Sequence, residues 1–284
     1  MKEFILANGV KAPALAYGTW LIKNEDAARC VKMALEAGYR HIDTAQAYGN
    51  EEGVGQGIRE SGLKREEVFI TSKVLAEHKS YKKAKASIDE SLKKLGVDYI
   101  DLMLIHCPQP WALFRGPFRY FKQNIQVWKA MEDAYKEGKI RAIGVSNFLI
   151  DDLENIINNC EIKPMANQIL LHIGETPVDV IKFCQENNIV VEAYSPIAHG
   201  KAMNDKTINA VAEKYHVSVP QLCIKYTLQL NTISIPKASS KEHIESNTKL
   251  DFTISEENMV ELLKCNHVDY GEDAFWPVFN KAGK

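Results

Sequence analysis

Apolar and polar positions along this chain alternate between two rhythms. Short runs such as Leu102-Met103-Leu104-Ile105 and Ile189-Val190-Val191 are apolar throughout, as parallel strands covered on both faces are. Between them lie longer stretches with one apolar stripe at helical spacing. Strands are predicted at residues 14–18, 41–44, 68–73, 100–106, 140–145, 166–169, 189–195 and 232–236. Helices are predicted at 24–37, 51–60, 82–95, 122–137, 150–158, 178–187, 205–215 with 220–230, and 241–249. Asn24 suits an N-cap, and Gly38, Gly96 and Gly138 stand where helices should stop. Eight strand and helix pairs joined by right-handed crossovers close an α/β (β/α)8 barrel. An open doubly wound sheet is the alternative, because periodicity alone does not reveal closure.

Two additions frame the repeat. Phe4-Ile5-Leu6, Asn8-Gly9 and Val10 predict an N-terminal β-hairpin with a type I′ turn. After the barrel come an extra helix at 255–263 and a tail at 266–284 that carries Phe275, Trp276 and Phe279. Three large aromatics are poorly suited to solvent, so the tail packs either across the barrel's bottom or as a flap over its mouth. No linker or low-complexity tract divides residues 1–284, and a single domain is expected.

Composition narrows the partners. Thirty-five basic against 37 acidic residues give a net charge of -2, so no global field draws the chain to nucleic acid or anionic lipid. Six scattered cysteines form no C-x-x-C pair or metal-like cluster, as in a reduced cytoplasmic protein. No apolar run approaches the ~20 residues of a membrane span. A cytoplasmic, monomeric protein acting on a small molecule without a metal is the expectation.

The candidate chemistry lies at strand ends. Asp43, Lys73 and His106 close or nearly close three successive strands, and Tyr48 follows the first of these. A buried strand has little reason to end on an ionisable group unless that end faces a cavity, and barrel active sites lie at the C-terminal strand ends. Each residue alone has a plainer reading, as turn cap, solvated terminus, core imidazole or loop packing. Four at corresponding positions are harder to dismiss. A phenol of pKa about 10 is a poor acid near neutrality. An ammonium about 4 Å away would favour the phenolate by up to ~4 kcal/mol at an effective dielectric of about 20. Lys73 is therefore expected to lower the pKa of Tyr48, with Asp43 holding the ammonium and His106 orienting a substrate oxygen. Such a set protonates an oxygen that gains negative charge, as a carbonyl does under hydride attack.

Three motifs then carry a resemblance: Gly38-Tyr39-Arg40-His41-Ile42-Asp43-Thr44-Ala45 with Tyr48, the strand from Asp98 to His106, and Gly138-Lys139-Ile140-Arg141-Ala142-Ile143-Gly144-Val145-Ser146-Asn147-Phe148. From the hairpin to about Asp251 the chain resembles the aldo-keto reductases, nicotinamide-dependent oxidoreductases on a (β/α)8 barrel. The resemblance implies a catalytic tetrad of Asp43, Tyr48, Lys73 and His106, with Tyr48 the proton donor. It implies that Ser146, Asn147 and Gln168 hold the nicotinamide carboxamide and that Tyr194 stacks on the ring. Ser195 would cover the pyrophosphate, Thr19 would lie near the ribose, and Lys237, Ala238, His243 and Asn247 would meet the adenosine end.

Departures from the family pattern refine this. His243 stands where the family usually has arginine, Ala238 where serine is common, and Ser246 where glutamate often precedes Asn247. A missing guanidinium weakens bidentate phosphate binding and adenine stacking. NADPH is favoured through Lys237, with NADH a plausible second. Leu75 and Cys107 replace tryptophans common in relatives, while Trp20 and Trp111 keep aromatic walls, so a wider and softer substrate pocket is expected. Gly53-Val54-Gly55-Gln56-Gly57 imitates a dinucleotide-binding loop but follows no strand and lacks the last glycine; it is read as part of the second helix. Two other classes compete: a non-catalytic nicotinamide-binding barrel serving as a sensor or regulatory subunit, and a metal-dependent barrel hydrolase. The intact tetrad disfavours the first, and the second is disfavoured because His41, His106, His172 and His199 show no convincing carboxylate partnership on neighbouring strand ends.

Overall fold

The computed structural model describes residues 2–113, 116–265, 268–271 and 274–278. Strands β1 (Glu3–Ile5) and β2 (Lys11–Pro13) form the expected hairpin. Its turn differs from the expectation. The Gly9 N–H donates to Leu6 O at 2.8 Å, and only Gly9 has a positive φ, of 85°. A type I′ turn needs two such residues. Here one glycine reverses the chain after a turn centred on Ala7 and Asn8.

Eight parallel strands follow in consecutive order: β3 (Tyr17–Gly18), β4 (His41–Asp43), β5 (Phe69–Val74), β6 (Leu102–Ile105), β7 (Ile143–Ser146), β8 (Ala166–Leu170), β9 (Val190–Tyr194) and β10 (Ile233–Ile235). The two ends of this sheet meet. Ser234 N–H donates to Ala14 O and Ala16 N–H to Ser234 O, both at 2.9 Å, and Gly18 N–H to Pro236 O at 3.0 Å. The ring of hydrogen bonds is closed, as in a (β/α)8 barrel and unlike an open doubly wound sheet.

Helices α1 (Asn24–Glu36), α2 (Glu51–Glu60), α3 (Tyr81–Leu95), α4 (Phe121–Lys136), α5 (Ile150–Ile157), α6 (Val178–Glu186), α7 (Lys206–Lys214), α8 (Val219–Gln229) and α9 (Lys241–Ser246) surround it, and α10 (Glu256–Leu263) follows. Their starts are specified locally. Ser80, Asp205, Ser218, Ser240 and Ser255 each accept a backbone N–H from the first turn of the helix they precede. Asn24 does not cap α1. Its Oδ1 accepts the Gly53 N–H at 2.9 Å and so ties α1 to α2. Ile100 and Ile140 pair only as an isolated bridge before β6 and β7. There the Asp101 carboxylate takes the Ile70 N–H at 2.9 Å and pairs with Arg65 and Arg141 at 2.6 and 2.7 Å.

The glycine run is helical, as expected, and its spacing has a packing cause. A Cβ on Gly53 or Gly57 would come within 2.4 Å of Asn24 O or 2.6 Å of Ala28 O on α1. One on Gly55 would come within 2.0 Å of Leu95 O at the end of α3. Helix α2 is wedged against the backbones of both neighbours, which only glycine allows.

The tail lies at the mouth, the second of the two placements considered. Val278 is buried with Ala76 after β5, Cys107 after β6 and Leu170 at the end of β8, and Trp276 packs on this cluster. Tyr270 stacks on His199, in the loop after β9, at 4.4 Å. Phe279 lies outside the described residues. Among the described residues no helix is long and apolar enough to cross a membrane.

Candidate active site

Alternation along β4 and β5 turns Asp43 and Lys73 into the barrel, and a 3-10 turn at Gln46–Tyr48 brings the Tyr48 ring over them. The Lys73 ammonium is fully buried. Its Nζ donates to Asp43 Oδ1 at 2.8 Å and Oδ2 at 3.0 Å, to Thr44 O at 2.8 Å and to the Tyr48 hydroxyl at 3.2 Å. An ammonium has three protons. Asp43, Thr44 and Tyr48 use all three, so the Tyr48 oxygen accepts from Lys73 and its own O–H is left to donate elsewhere. His106 follows β6 with its ring 5.7 Å from that of Tyr48 and 5.2 Å from that of Trp111, both edge to face. Its Nδ1 is buried with no hydrogen-bond partner.

The electrostatics correct one expectation. Burial raises the Tyr48 phenol and outweighs the opposing pull of Lys73, with Asp43 adding to the rise, so its pKa lies above the ordinary value. Tyr48 is half-buried, and a ligand seated against it would deepen that desolvation. Strand-end placement in the sequence suggested that an ammonium would stand near the phenol, but not how much solvent the surrounding barrel removes. Burial also works against the Lys73 charge, yet Asp43 and Tyr48 together prevail and raise its pKa. His106 is driven well below its usual pKa by burial and then by Lys73 and Lys79, which makes it a neutral imidazole. Lys79 was not anticipated. It donates to Cys107 O at 2.6 Å and Asn124 Oδ1 at 3.0 Å, securing the backbone that follows His106.

The residues expected at a nicotinamide converge beside these four. Ser146 Oγ donates to Gln168 O at 3.0 Å, and Asn147 Nδ2 donates to Ser146 Oγ at 3.1 Å and to His106 O at 3.0 Å. The Tyr194 hydroxyl donates to Asn147 Oδ1 at 2.7 Å, which anchors a half-buried ring at the end of β9. Thr19 Oγ1 donates to Asp43 O at 2.9 Å. Hydroxyls and amides grouped beside an aromatic face suit a carboxamide and its ring, with the protons of Ser146, Asn147 and Gln168 engaged within the group. Gln168 spends both amide protons inward, on Asp43 Oδ2 at 2.7 Å and Glu192 Oε2 at 2.8 Å. Its Oε1 is the atom left to meet a ligand.

The other expected binding residues form a second group around the end of β10. Ser195 Oγ lies 3.2 Å from His199 Nε2, and burial followed by the Lys237 charge lowers the His199 pKa. Lys237 and His243 are exposed, Asn247 is buried, and Ala238 O accepts the Tyr17 hydroxyl. On the substrate side, Trp20 is 38% exposed and packs at 5.2 Å on His199. Leu75 is half-buried. Cys107 is fully buried beneath Val278. The room freed by a small residue there is occupied by the tail, which sequence spacing could not foretell.

Glu192 and His41 complete the layer below. They fall on the alternate, inward positions of their strands, and a carboxylate in the middle of an otherwise apolar run was the signal that could have found Glu192. Among the described residues no group of three or more His, Cys, Asp or Glu side chains is arranged to hold a metal ion.

The model of the aldo/keto reductase family matches residues 14–267. Glyoxal reductase of Bacillus subtilis is 43% identical over 257 residues, covering 89% of each chain. The crystal structure of MGS-M4, an aldo-keto reductase from a deep-sea metagenome library, superposes with a TM-score of 0.87 at 37% identity, covering 93% of this chain and 95% of that one. A Bombyx mori aldo-keto reductase in complex with NADP superposes at 0.84 with 35% identity, covering 93% and 92%. With the family model matched across nearly the whole chain and relatives similar over the same extent, this protein belongs to the aldo/keto reductase family.

Proposed function

We propose that the protein reduces aldehydes or ketones to alcohols with NADPH, and that Tyr48 donates the proton. The observation that carries this reading is the saturated Lys73 ammonium, whose third bond leaves the Tyr48 O–H directed to a ligand. A bound reduced nicotinamide supplies the hydride. Tyr48 hands its proton to the carbonyl oxygen as negative charge builds there, and the adjacent ammonium stabilises the phenolate that remains. Asp43 keeps that ammonium in place. His106, neutral, donates a ring N–H that orients the same oxygen. Ser146, Asn147 and the Gln168 oxygen hold the carboxamide, and Tyr194, fixed by Asn147, presents its ring as the stacking surface. Thr19 lies by the ribose and Ser195 by the pyrophosphate, while Lys237, Ala238, His243 and Asn247 serve the adenosine end. Trp20, Leu75 and Trp111 line the substrate side, with Cys107 as the layer beneath.

The test is loss of reduced-nicotinamide absorbance with NADPH or NADH across a panel of small aldehydes, bulky ketones and quinones. Oxidation of NADPH with several carbonyls is expected. Cofactor binding with no oxidation by any carbonyl would instead favour a sensor. For the cofactor's phosphate, His243→Arg restores a planar, permanent charge. It should tighten NADPH relative to NADH by roughly 1 to 2 kcal/mol, five- to thirtyfold in the ratio of dissociation constants. An unchanged ratio would remove His243 from the phosphate site.

A further inference from the structure

Glu192 is a buried carboxyl that the mechanism above leaves without a task. It sits on β9 one inward position below Tyr194, fully enclosed and paired in register with Gln168. Gln168 Nε2 bridges it to Asp43, with 2.8 Å to Glu192 Oε2 and 2.7 Å to Asp43 Oδ2. From Asp43 the contacts continue to Lys73 at 2.8 Å and on to Tyr48 at 3.2 Å. The other oxygen, Oε1, is buried with no hydrogen-bond partner and lies 3.9 Å from His41 Nε2. His41 offers no charge to offset it. Its Nδ1 faces Pro13 O at 3.2 Å and must carry the proton to bond there, so Nε2 accepts from Thr71 Oγ1 at 2.8 Å. Burial lowers the His41 pKa to about 4.

The charged and titratable groups around Glu192 are therefore His41 and Asp43 from β4 and Lys73 from β5. Its partner on β8 is the uncharged Gln168, and β10, paired at Ile233, brings no ionisable side chain. Asp43 and Lys73 neutralise one another. A second carboxylate in this layer would be an uncompensated negative charge, the costly arrangement in a low-dielectric interior. A carboxyl with one oxygen hydrogen-bonded and the other bare is suited to hold a proton on the bare one.

We propose that Glu192 is a positioning residue whose protonation follows the redox state of the cofactor: it holds its proton while the reduced nicotinamide lies on Tyr194 and releases it when the oxidised ring is there. This rests on the function proposed above. The oxidised ring carries a positive charge that the reduced ring lacks, and a positive charge one layer above favours the carboxylate. Burial, with Asp43 adding to it, pushes Glu192 up to about 7, so the switch is poised near neutral pH. In both states Oε2 accepts from Gln168, which keeps the Gln168 oxygen facing the carboxamide. By linkage, whatever binding of the oxidised form does to the proton, the proton does to that binding.

Isothermal titration calorimetry at about pH 7, in buffers of different ionisation enthalpy, counts the protons released when NADP+ and NADPH bind the full-length protein. The 2′-phosphate also titrates near pH 6 but is common to both forms, so the difference between them isolates the ring. NADP+ should release up to about half a proton more than NADPH, the share that a group titrating near 7 still holds at that pH. The difference should vanish at about pH 9 and in Glu192→Gln, which keeps an acceptor for Gln168 but cannot titrate. Equal proton counts for the two cofactors in the unsubstituted protein overturn the proposal, whether or not the variant folds; so does an unchanged difference in folded Glu192→Gln. Infrared spectra of the cofactor-free protein give a separate check. A carboxylic-acid stretch present at about pH 5.5 and lost at about pH 9 is expected, and its absence at the lower pH overturns the protonated resting state. Failure of both cofactors to bind would show as no binding heat, and would overturn the proposed function and this inference together.

Discussion

Replacing Tyr48 by phenylalanine is expected to lower kcat for carbonyl reduction roughly 10²- to 10⁴-fold, the range that a positioned proton donor contributes. The dissociation constant for the nicotinamide cofactor should change little. The substitution removes one oxygen and retains the ring, and the ring's packing on His106 and under the Lys73 charge, 4.9 Å from its centroid, can persist. The side chains placed around Tyr194 do not depend on that hydroxyl. Lys73 loses one of three acceptors but keeps Asp43 and Thr44 O, so a stability loss of about 1 kcal/mol is expected. Steady-state rates with fluorescence titration of cofactor binding separate the two effects. Turnover within a fewfold of the unsubstituted protein would mean that another group supplies the proton, and His106, the neighbouring N–H, would be examined next.

The second large effect is on stability. Gly55→Ala places a Cβ 2.0 Å from Leu95 O and 2.6 Å from Leu95 C, atoms of backbone that cannot rotate aside. Helix α2 must move away from α3, and its other face is already fixed by Gly53 and Gly57 against α1. Relief in one direction creates a clash in the other. In an ordinary exposed helix, alanine for glycine would gain about 1 kcal/mol; here a net loss of roughly 3 kcal/mol is expected from overpacking. Urea denaturation should show a lower midpoint with an unchanged slope. Gln56→Ala, at an exposed position of the same helix, serves as the control and should stay within about 0.5 kcal/mol. Since α2 begins shortly after the turn that carries Tyr48, the displaced helix should also reduce activity. Equal midpoints for the two variants would show that the helices are not in this close contact.

The architecture was legible because it is written in local periods. Continuous apolar runs against helical stripes, repeated eight times, specify parallel strands and crossover helices, while closure into a barrel rests on the hydrogen bonds of Ser234 and Pro236 to Ala14, Ala16 and Gly18. Asp43, Lys73 and His106 were visible for the same reason: an ionisable residue ending such a run contradicts its surroundings. The glycine run was assigned to a helix from spacing, but its purpose lies in two other helices and could not be read locally. Asn24 looked like a cap from its position and instead binds Gly53.

What the sequence by itself determined is thus the order of elements, the strand-end placement of the four candidate groups and the family resemblance carried by their motifs. Only the tertiary structure decided how those groups are charged and covered. Burial against the barrel wall overrode the pull of Lys73 on Tyr48, the tail came to rest on Cys107 rather than beneath the barrel, and Gln168 joined Glu192 to Asp43 across three strands. Desolvation and hydrogen bonding between distant residues depend on which surfaces meet in space, and no local pattern contains that information. Spacing along the chain reveals where a side chain points; the water it loses is set by the fold.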